Sequence, residues 1–292
     1  MSGNTFAGRR LTRRSVTIVA LLALLLAGLF WATAVTPGTS SAYIARITNN
    51  TDTAATAANF TCTGAYGVDK ANALFQYPLT EASNSTSATD ISGKAANGTY
   101  QGLMIANSTT PIACPRDPGR SYLLNGSTSY LTTPTQVTSP GTFTLETWFK
   151  TSVASGKIVG FESGQTGTAS GQYDRQVYLS PTGQVIFGTY NGGVQVVTSP
   201  AGYANGAWHH MIATFSAGTG LNLYLDGSLA ASNTTYTTAE PHAGYWRFGQ
   251  GNLNGWPNAG ANTFLTGTLR FAAVYSIVFT QAQINNHYAA GR

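Results

Sequence analysis

The sequence predicts an all-β protein of two stacked antiparallel sheets with a short C-terminal helix, preceded by an N-terminal signal or transmembrane helix. Only 9% of the 292 residues are charged, and Gly, Ser, Thr and Asn are frequent. Such a composition is typical of short strands joined by polar turns. Alternating or aromatic-rich runs also recur from residue 73 onward, and clusters of Gly, Pro and Asn separate them. These residues favour turns.

Residues 1–42 are predicted to be a signal peptide or a membrane anchor. Val16–Val35 is an uncharged apolar run of twenty residues that follows a basic stretch. A signal core usually has up to about 15 residues and a membrane span needs about 20, so both alternatives stay open. With the leader's arginines on the cytoplasmic side, either one places the rest of the chain on the outer side of the membrane. We therefore expect a secreted or cell-surface protein that contacts a membrane only through this segment, if the segment is not cleaved.

The net charge of +5 does not indicate a nucleic-acid partner. Four of the fifteen basic residues precede residue 15. Beyond residue 42, the remaining eleven basic side chains nearly balance the ten acidic ones. Nucleic-acid binding requires a cluster of cations that faces the phosphates, and the sequence has none outside the leader.

Residues 43–71 are predicted to be an extracellular linker, and residues 72–292 a single domain. Cys62 and Cys114 are the two cysteines of the chain. In an exported chain, two cysteines without His or Cys neighbours at metal-ligand spacing favour a disulfide, with two free thiols as the alternative. Closing a loop of about 50 residues would stabilise the fold by about 4 kcal/mol.

Ten segments have the composition of strands. Each is short, rich in β-branched or aromatic residues and bounded by turn residues. Hairpin turns with positive φ are predicted at Gly183, Gly192, Gly206 and Asp226-Gly227. The predicted strands span residues 73–79, 120–126, 142–150, 157–163, 175–180, 184–190, 207–216, 221–227, 245–250 and 263–276.

The one helix predicted within the domain lies at its C-terminus. Thr280 is suited to be the N-cap, because its hydroxyl can accept a hydrogen bond from a backbone N–H of the first turn. Ile284, His287 and Tyr288 then share one face of the helix. This helix is expected to close the domain.

Several motifs occur in the order and spacing of one family. Among them are Tyr77-Pro78-Leu79, Phe143–Lys150, Trp208-His209-His210 and Leu223–Gly227. Together the motifs resemble the laminin-G-like (LamG-like) domains of the concanavalin A-like lectin and glucanase superfamily, over about residues 72–291. The resemblance implies a jelly roll of about a dozen strands, often with a calcium ion at the rim and a ligand surface made of loops.

Calcium is the one cofactor that the resemblance suggests, and no ligand residues can be named for it. Arg270 stands where an acidic residue is expected, and the pentraxin-type run of Glu, Gln and Asp has no counterpart. Calcium prefers several converging carboxylate or carbonyl oxygens. Both departures therefore argue against a calcium site of the usual kind.

A glycoside hydrolase of the same fold is the enzymatic alternative. It needs two carboxylates placed across a sugar bond. The nearest two of the ten acids are nine residues apart, so the E-x-D-x-x-E arrangement of the superfamily's glucanases does not occur. A pair drawn from distant strands stays open. A further alternative is a structural envelope or fibre component.

The sequence favours a non-catalytic extracellular binding or adhesion module that recognises a glycan or protein ligand through rim loops, and we assign no catalytic residue. Sugar sites combine an aromatic face with a few amide or carboxylate groups. Residues 172–175 and 252–258 combine both, and so do residues 190–191. The structural alternative is an aromatic side chain that fills the sandwich edge, or an Asp-Arg pair that fixes a turn. The candidate ligand-binding residues are Tyr173, Asp174, Arg175, Tyr190, Asn191, Asn254 and Trp256.

Overall fold

The computed structural model describes residues 21–24, 60–167 and 170–292. Residues 21–24 are helical. Within these described ranges, no helix is long and apolar enough to cross a membrane. The predicted signal or anchor otherwise lies outside the described residues, as does the predicted linker up to residue 59. The chain divides into two compact units, Met1–Ala54 and Ala55–Arg292, and everything below concerns the second.

Two antiparallel sheets form a sandwich, which confirms the predicted fold class. Strands are numbered along the chain. The first sheet contains β1 (Ala73–Tyr77), β4 (Ile105–Asn107), β5 (Ser121–Asn125), β8 (Thr142–Lys150), β13 (Trp208–Ser216), β14 (Gly220–Leu225), β15 (Ser228–Asn233) and β17 (Thr266–Tyr275). The second contains β2 (Ser87–Ala88), β3 (Gly98–Gln101), β6 (Tyr130–Thr132), β7 (Val137–Thr138), β9 (Gly156–Glu162), β10 (Tyr173–Leu179), β11 (Val185–Tyr190), β12 (Val194–Thr198) and β16 (Ala243–Phe248).

The strand order requires the chain to cross repeatedly between the sheets. The first sheet has the order β15-β14-β13-β8-β17-β5-β4, and β1 pairs with the end of β17 that β5 leaves free. The second has the order β12-β11-β10-β9-β16-β6-β3-β2, and β7 pairs with the start of β16. All ten predicted segments contain strands. The turn at Asp226-Gly227 has φ values of 51° and 79°, as a tight hairpin with two left-handed residues requires.

Two helices cover the outer face of the first sheet. They are α1 (Cys62–Asp69), followed by a 3₁₀ turn (Lys70–Asn72), and α2 (Gln281–Ala290). The predicted helix α2 is confirmed, with Thr280 as its N-cap and Ile284 and His287 buried. With the sheet, the helices enclose a second apolar cluster, separate from the main core between the two sheets.

Helix α1 was not predicted and lies inside the segment assigned to the linker. The predicted disulfide between Cys62 and Cys114 is confirmed and ties α1 to the domain. Cys62, Ala65 and Tyr66 are fully buried. Gly64 and Gly67 give α1 a weak helical propensity, so the helix depends on tertiary contacts that the local sequence does not reveal.

Candidate functional site

A cleft of about 360 Å³, here called the rim cleft, opens on the outer face of the second sheet. Strands β10 and β11 contribute its floor, and the loop of residues 249–265 between β16 and β17 forms one wall. The residues that line it are Gly171, Gln172, Tyr173, Tyr190, Val194, Glu240, Asn254, Gly255 and Trp256.

Side-chain alternation along β10 and β11 builds the floor. Val177 and Phe187 belong to the main core between the sheets. Their strand neighbours Tyr178 and Ile186 therefore point to the opposite face, because successive side chains alternate. There they pack with Trp256 in a small apolar cluster. This outer surface of the hydrogen-bonded sheet therefore supports Trp256, which lines the cleft, whereas Tyr178 and Ile186 are not lining residues themselves.

Tyr178 holds Trp256 and its loop on this sheet surface. The Tyr178 hydroxyl donates to the carbonyl of Pro257 at 2.6 Å, and the Tyr178 ring meets the indole edge-to-face at 6.1 Å between centroids. A Cβ at Gly188 would lie 3.1 Å from the indole and 2.3 Å from the carbonyl oxygen of Gln195. Glycine at this position of β11 therefore leaves the space that the indole occupies.

Four of the seven predicted ligand-binding residues line this one cleft. Tyr173, Tyr190 and Trp256 supply three aromatic rings, and Asn254 supplies an amide. The Tyr173 hydroxyl donates to the carbonyl of Asn254 at 3.0 Å, which joins β10 to the loop at the mouth of the cleft. Two strands and a distant loop therefore bring these residues together.

Asp174 and Arg175 lie beneath the cleft and do not line it. Their relative exposures are 0% and 1%. The Asp174 carboxylate accepts from the backbone N–H groups of Tyr190 at 2.6 Å and Glu240 at 2.9 Å, and pairs with Arg175 Nη1 at 2.9 Å. Burial raises the pKa of Asp174, although Arg175 and the backbone donors oppose this. The pair positions two lining residues and is closed to a ligand.

Asn191 lies beside the cleft, and Glu240 is the charged lining residue that sequence reasoning missed. The exposed Asn191 donates through Nδ2 to Thr238 Oγ1 at 2.9 Å. Glu240 precedes a proline and has no aromatic neighbour in sequence. It reaches the cleft because Asp174 holds its backbone N–H. That contact joins residues 66 positions apart, and no local motif marks it.

Glu240 dominates the electrostatics of the cleft. In the described part of the chain, its carboxylate is the only charged group that lines the cleft, and the side chain is 26% exposed. Gln172 Nε2 donates to it at 3.5 Å, and His242 Nδ1 lies 3.6 Å away. Burial, and then the charge of Arg175, lower the pKa of His242, so its ring is neutral near pH 7.

A buried polar cluster beside the cleft anchors the start of the loop. The Lys157 ammonium pairs with Glu162 and donates to the carbonyl of Asn252 at 3.0 Å. The Asn252 N–H in turn donates to Glu162 at 3.0 Å. Burial lowers the pKa of Lys157 to about 8, although Glu162 opposes the shift. Because Lys157 and Glu162 are fully buried, they position the loop and do not face a ligand.

A large group of buried titratable side chains in the described part of the chain lies under the helices, on the outer face of the first sheet. We call it the Glu146 network. Glu146 of β8 lies 2.8 Å from His210 Nε2 and 2.9 Å from His287 Nδ1. The other ring nitrogen of His287 lies 3.0 Å from Asp69 Oδ2. The Tyr275 hydroxyl donates to Glu146 at 3.2 Å.

Glu146 and His287 are ionised at neutral pH. Burial raises the pKa of Glu146, but His287 and His210 outweigh burial and lower the pKa to about 2. Burial lowers the pKa of His287, but Glu146 and Asp69 raise it to about 9. The glutamate and both histidines are buried, so the network holds α1 and α2 on the sheet.

The donors near the disulfide do not fit a calcium ion. Among the described residues, the one cluster of three metal-ligand side chains is Cys62, Cys114 and Asp117, and its sulfurs are bonded to each other. The Asp117 carboxylate accepts hydrogen bonds from backbone N–H groups, and the bond from the N–H of Cys62 is 2.7 Å long. Three nearby carbonyl oxygens accept from the Arg270 guanidinium at 2.6–3.1 Å. The calcium ion that the resemblance suggests therefore stays a prediction without a ligand set.

The described carboxylates are largely committed to structure. Nine of the ten acids lie in the described residues. Eight of them accept hydrogen bonds that hold turns, strands or helices. These eight are Asp69, Glu81, Asp90, Asp117, Glu146, Glu162, Asp174 and Asp226. Glu240 is the ninth, and it is the one described carboxylate in the rim cleft, whereas hydrolysis by a carboxylate pair needs two.

Comparison with known proteins agrees with this architecture. A sequence model described as "Concanavalin A-like lectin/glucanases superfamily" matches residues 125–285, just over half of the chain. No curated protein sequence is significantly similar to the chain.

Solved structures share the fold at low sequence identity. The binding domain of Paraclostridial Mosquitocidal Protein 1 is 12% identical, with a TM-score of 0.53 over 75% of this chain and 52% of that one. The binding domain of Botulinum Neurotoxin DC in complex with SialylT is 10% identical, with a TM-score of 0.51 over 75% and 51%. The Trypanosoma rangeli sialidase in complex with the inhibitor DANA is 13% identical, with a TM-score of 0.51 over 74% and 32%. The matched region thus spans about half of each toxin domain and a third of the sialidase.

Proposed function

Because the chain belongs to the concanavalin A-like lectin/glucanase superfamily, we propose that it is an exported, non-catalytic binding module that recognises a glycan through the rim cleft. One observation carries the proposal: three aromatic rings, two amide side chains and one carboxylate surround a single cleft of about 360 Å³. Aromatic faces pack against the apolar face of a sugar ring, while amide and carboxylate groups bind its hydroxyls.

The cleft is organised before a ligand arrives. Asp174 holds the backbone of Tyr190 and Glu240, and the Lys157–Glu162 pair holds the loop that carries Trp256. Such preorganisation limits the entropy that is lost on binding. It supports a recognition role for the cleft, because these buried ion pairs immobilise the walls around it.

The proposed location is outside the cell, either secreted or attached to the surface. The apolar run at residues 16–35 supports export. The Cys62–Cys114 disulfide supports it independently, since disulfides persist in oxidising compartments. The fold neighbours include the binding domain of Botulinum neurotoxin DC in complex with SialylT and the same domain in complex with rat synaptotagmin II, so both kinds of partner occur among them. We favour a glycan because the cleft mixes aromatic and hydrogen-bonding groups in nearly equal parts.

Tyr190→Ala is expected to weaken glycan binding about tenfold or more. The ring of Tyr190 lines the cleft and is only partly buried, so its removal deletes a stacking surface without opening the core. Tyrosine is among the residues whose truncation commonly costs more than about 1 kcal/mol at a binding site, and about 1.4 kcal/mol is tenfold. A glycan array followed by calorimetry on the best ligand measures the change.

Tyr224→Ala is the matched control, because this half-buried tyrosine lies on β14 of the other sheet. It should leave glycan affinity unchanged. Equal losses of glycan affinity in the two variants would contradict the proposal. Saturable binding to a protein alone, without competition by any glycan, would contradict it too.

Polysaccharide cleavage separates the binding module from a hydrolase of the same fold. No release of reducing ends is expected from the wild-type protein, since Glu240 is the one described carboxylate in the cleft. Cleavage that disappears in Glu240→Gln would overturn the non-catalytic assignment.

A further inference from the structure

The charges that face the rim cleft are unbalanced. Glu240 is the only charged side chain among the described lining residues. Among the described residues its carboxylate has one weak donor, Gln172 at 3.5 Å, so its oxygens retain acceptor capacity toward these residues. His242, 3.6 Å away, is neutral near pH 7 because burial and Arg175 lower its pKa. An anionic group on a ligand would therefore be repelled by the Glu240 carboxylate in this cleft.

Arg175 contacts the backbone of the lining residue Glu240 but is not accessible to a ligand. Arg175 donates through Nε to the carbonyl of Pro140 at 2.8 Å, through Nη1 to Asp174 at 2.9 Å and through Nη2 to the carbonyl of Glu240 at 3.1 Å. The guanidinium is buried beneath the floor. Its charge is neutralised by Asp174, so it does not offset Glu240 toward the open side of the cleft.

Two further cations on this sheet are also enclosed. Lys157 pairs with Glu162 and is fully buried. Arg247 is buried and donates to the carbonyl oxygens of Thr166 at 2.9 Å and Gly167 at 2.7 Å. Neither lines the cleft. The described residues thus supply the cleft with a free negative charge and no accessible positive charge.

We infer that the rim cleft selects sugars by charge, accepting rings without an acidic group, preferring those that bear an amine and rejecting those that bear a carboxylate. A protonated amine forms a charge-assisted hydrogen bond to Glu240 and is attracted by the aromatic faces around it. A carboxylate in the same place meets like charge in a partly desolvated cleft. This inference rests on the proposed function and names Glu240 as its specificity-determining residue.

The test uses matched oligosaccharides whose terminal ring is a hexose, the corresponding 2-amino-2-deoxyhexose or the corresponding hexuronic acid, in the gluco, galacto and manno series. With the disulfide-bonded protein, the amino sugar should bind most tightly. The uronic acid should bind at least about tenfold more weakly than the neutral sugar, a difference of about 1.4 kcal/mol. Higher salt should narrow these differences, because a partly exposed charge is screened.

Glu240→Gln removes the charge and keeps the shape. It should bring the three affinities within about threefold of one another. Glu81→Gln is the matched control, since Glu81 is a partly exposed glutamate that lies outside the cleft lining and bonds to Tyr100 and to the backbone of Thr89. It should preserve the wild-type ranking. A ranking that survives Glu240→Gln would overturn the role of Glu240.

The outcomes separate the two proposals. If the hexuronic acid binds as tightly as the hexose, and Tyr190→Ala weakens both, the charge inference is wrong and the cleft remains the binding site. If no sugar binds, or if Tyr190→Ala leaves every affinity unchanged, the proposed function fails and the inference fails with it.

Discussion

Glu146→Gln is expected to lower the free energy of unfolding at pH 7 by about 3–5 kcal/mol, the usual loss when one partner of a buried ion pair is removed. Glu146 is fully buried and lies within 3 Å of both His210 and His287. Its neutral replacement leaves the imidazolium of His287 with only Asp69 as a counter-ion. Urea denaturation monitored by tryptophan fluorescence measures the loss. In a domain of this size, each kcal/mol corresponds to about 2–4 °C in melting temperature.

The same network predicts how wild-type stability depends on pH. Pairing raises the pKa of His287 from 6.5 to about 9, so its contribution is complete below pH 6.5 and is lost as pH rises through 9. The pKa of Glu146 is lowered from 4.5 to about 2, so its contribution is complete above pH 4.5 and is lost as pH falls through 2. Both contributions are complete between pH 4.5 and 6.5. Glu146→Gln should flatten the decline in stability between pH 6.5 and 9.

His209→Gln provides the control for this experiment. His209 is adjacent to His210 on β13, but its partner Asp226 is 32% exposed. A pair with a partly exposed partner contributes about 0–1 kcal/mol, so a smaller loss is expected, although His209 itself is largely buried. Comparable losses of unfolding free energy in the two variants would refute the ionised states that we assign to Glu146 and His287. A pH profile of stability that Glu146→Gln leaves unchanged would refute them as well.

Replacing both Cys62 and Cys114 with alanine is expected to lower the free energy of unfolding by about 4 kcal/mol, because the disulfide closes a loop of about 50 residues in the unfolded chain. Denaturation of the oxidised wild type and of the double variant measures the difference directly. A reductant should destabilise the wild type by a similar amount and leave the variant unchanged. A loss below about 1 kcal/mol would contradict this expectation.

The disulfide and the Glu146 network should act on each other. Cys62 begins α1, and α1 ends at Asp69, which contacts His287. If α1 is released from the sheet, the Asp69 carboxylate therefore no longer contacts His287. In a double-mutant cycle, Glu146→Gln should lower the free energy of unfolding less in the cysteine-free protein than in the wild type. Strictly additive losses would show that α1 stays in place without the disulfide.

The long strands could be predicted because each one carries its own pattern. Thr142–Lys150 and Trp208–Ser216 are nine-residue strands rich in aromatic and β-branched residues. The strands that were missed are two to six residues long, such as Ser87–Ala88 and Ser228–Asn233. The shortest of them contain too few alternations to show a period, and Ser228–Asn233 has no aromatic or β-branched residue. They become strands because a neighbouring strand offers them a pairing edge.

The candidate site was predictable where a residue type suggests its own use. Tyr173, Tyr190, Asn254 and Trp256 stood out as aromatic and amide groups in loops, and the structure assembles them in one cleft. Asp174 was chosen by the same reasoning, yet it lies buried beneath the floor. Residue type alone does not distinguish a carboxylate that faces solvent from one that accepts backbone N–H groups 16 and 66 positions away.

The sequence by itself therefore determined the two-sheet fold, the C-terminal helix, the disulfide partners and most of the aromatic lining of the rim cleft, because periodicity, capping and composition are local properties. Only the tertiary structure decided that α1 belongs to the domain, that Glu146 and His287 form an ion pair, and that Glu240 gives the cleft its charge. The physical reason is that burial and pairing depend on contacts between distant residues. A carboxylate stabilises the fold when it is buried and paired, whereas a carboxylate that faces solvent is free to bind a ligand.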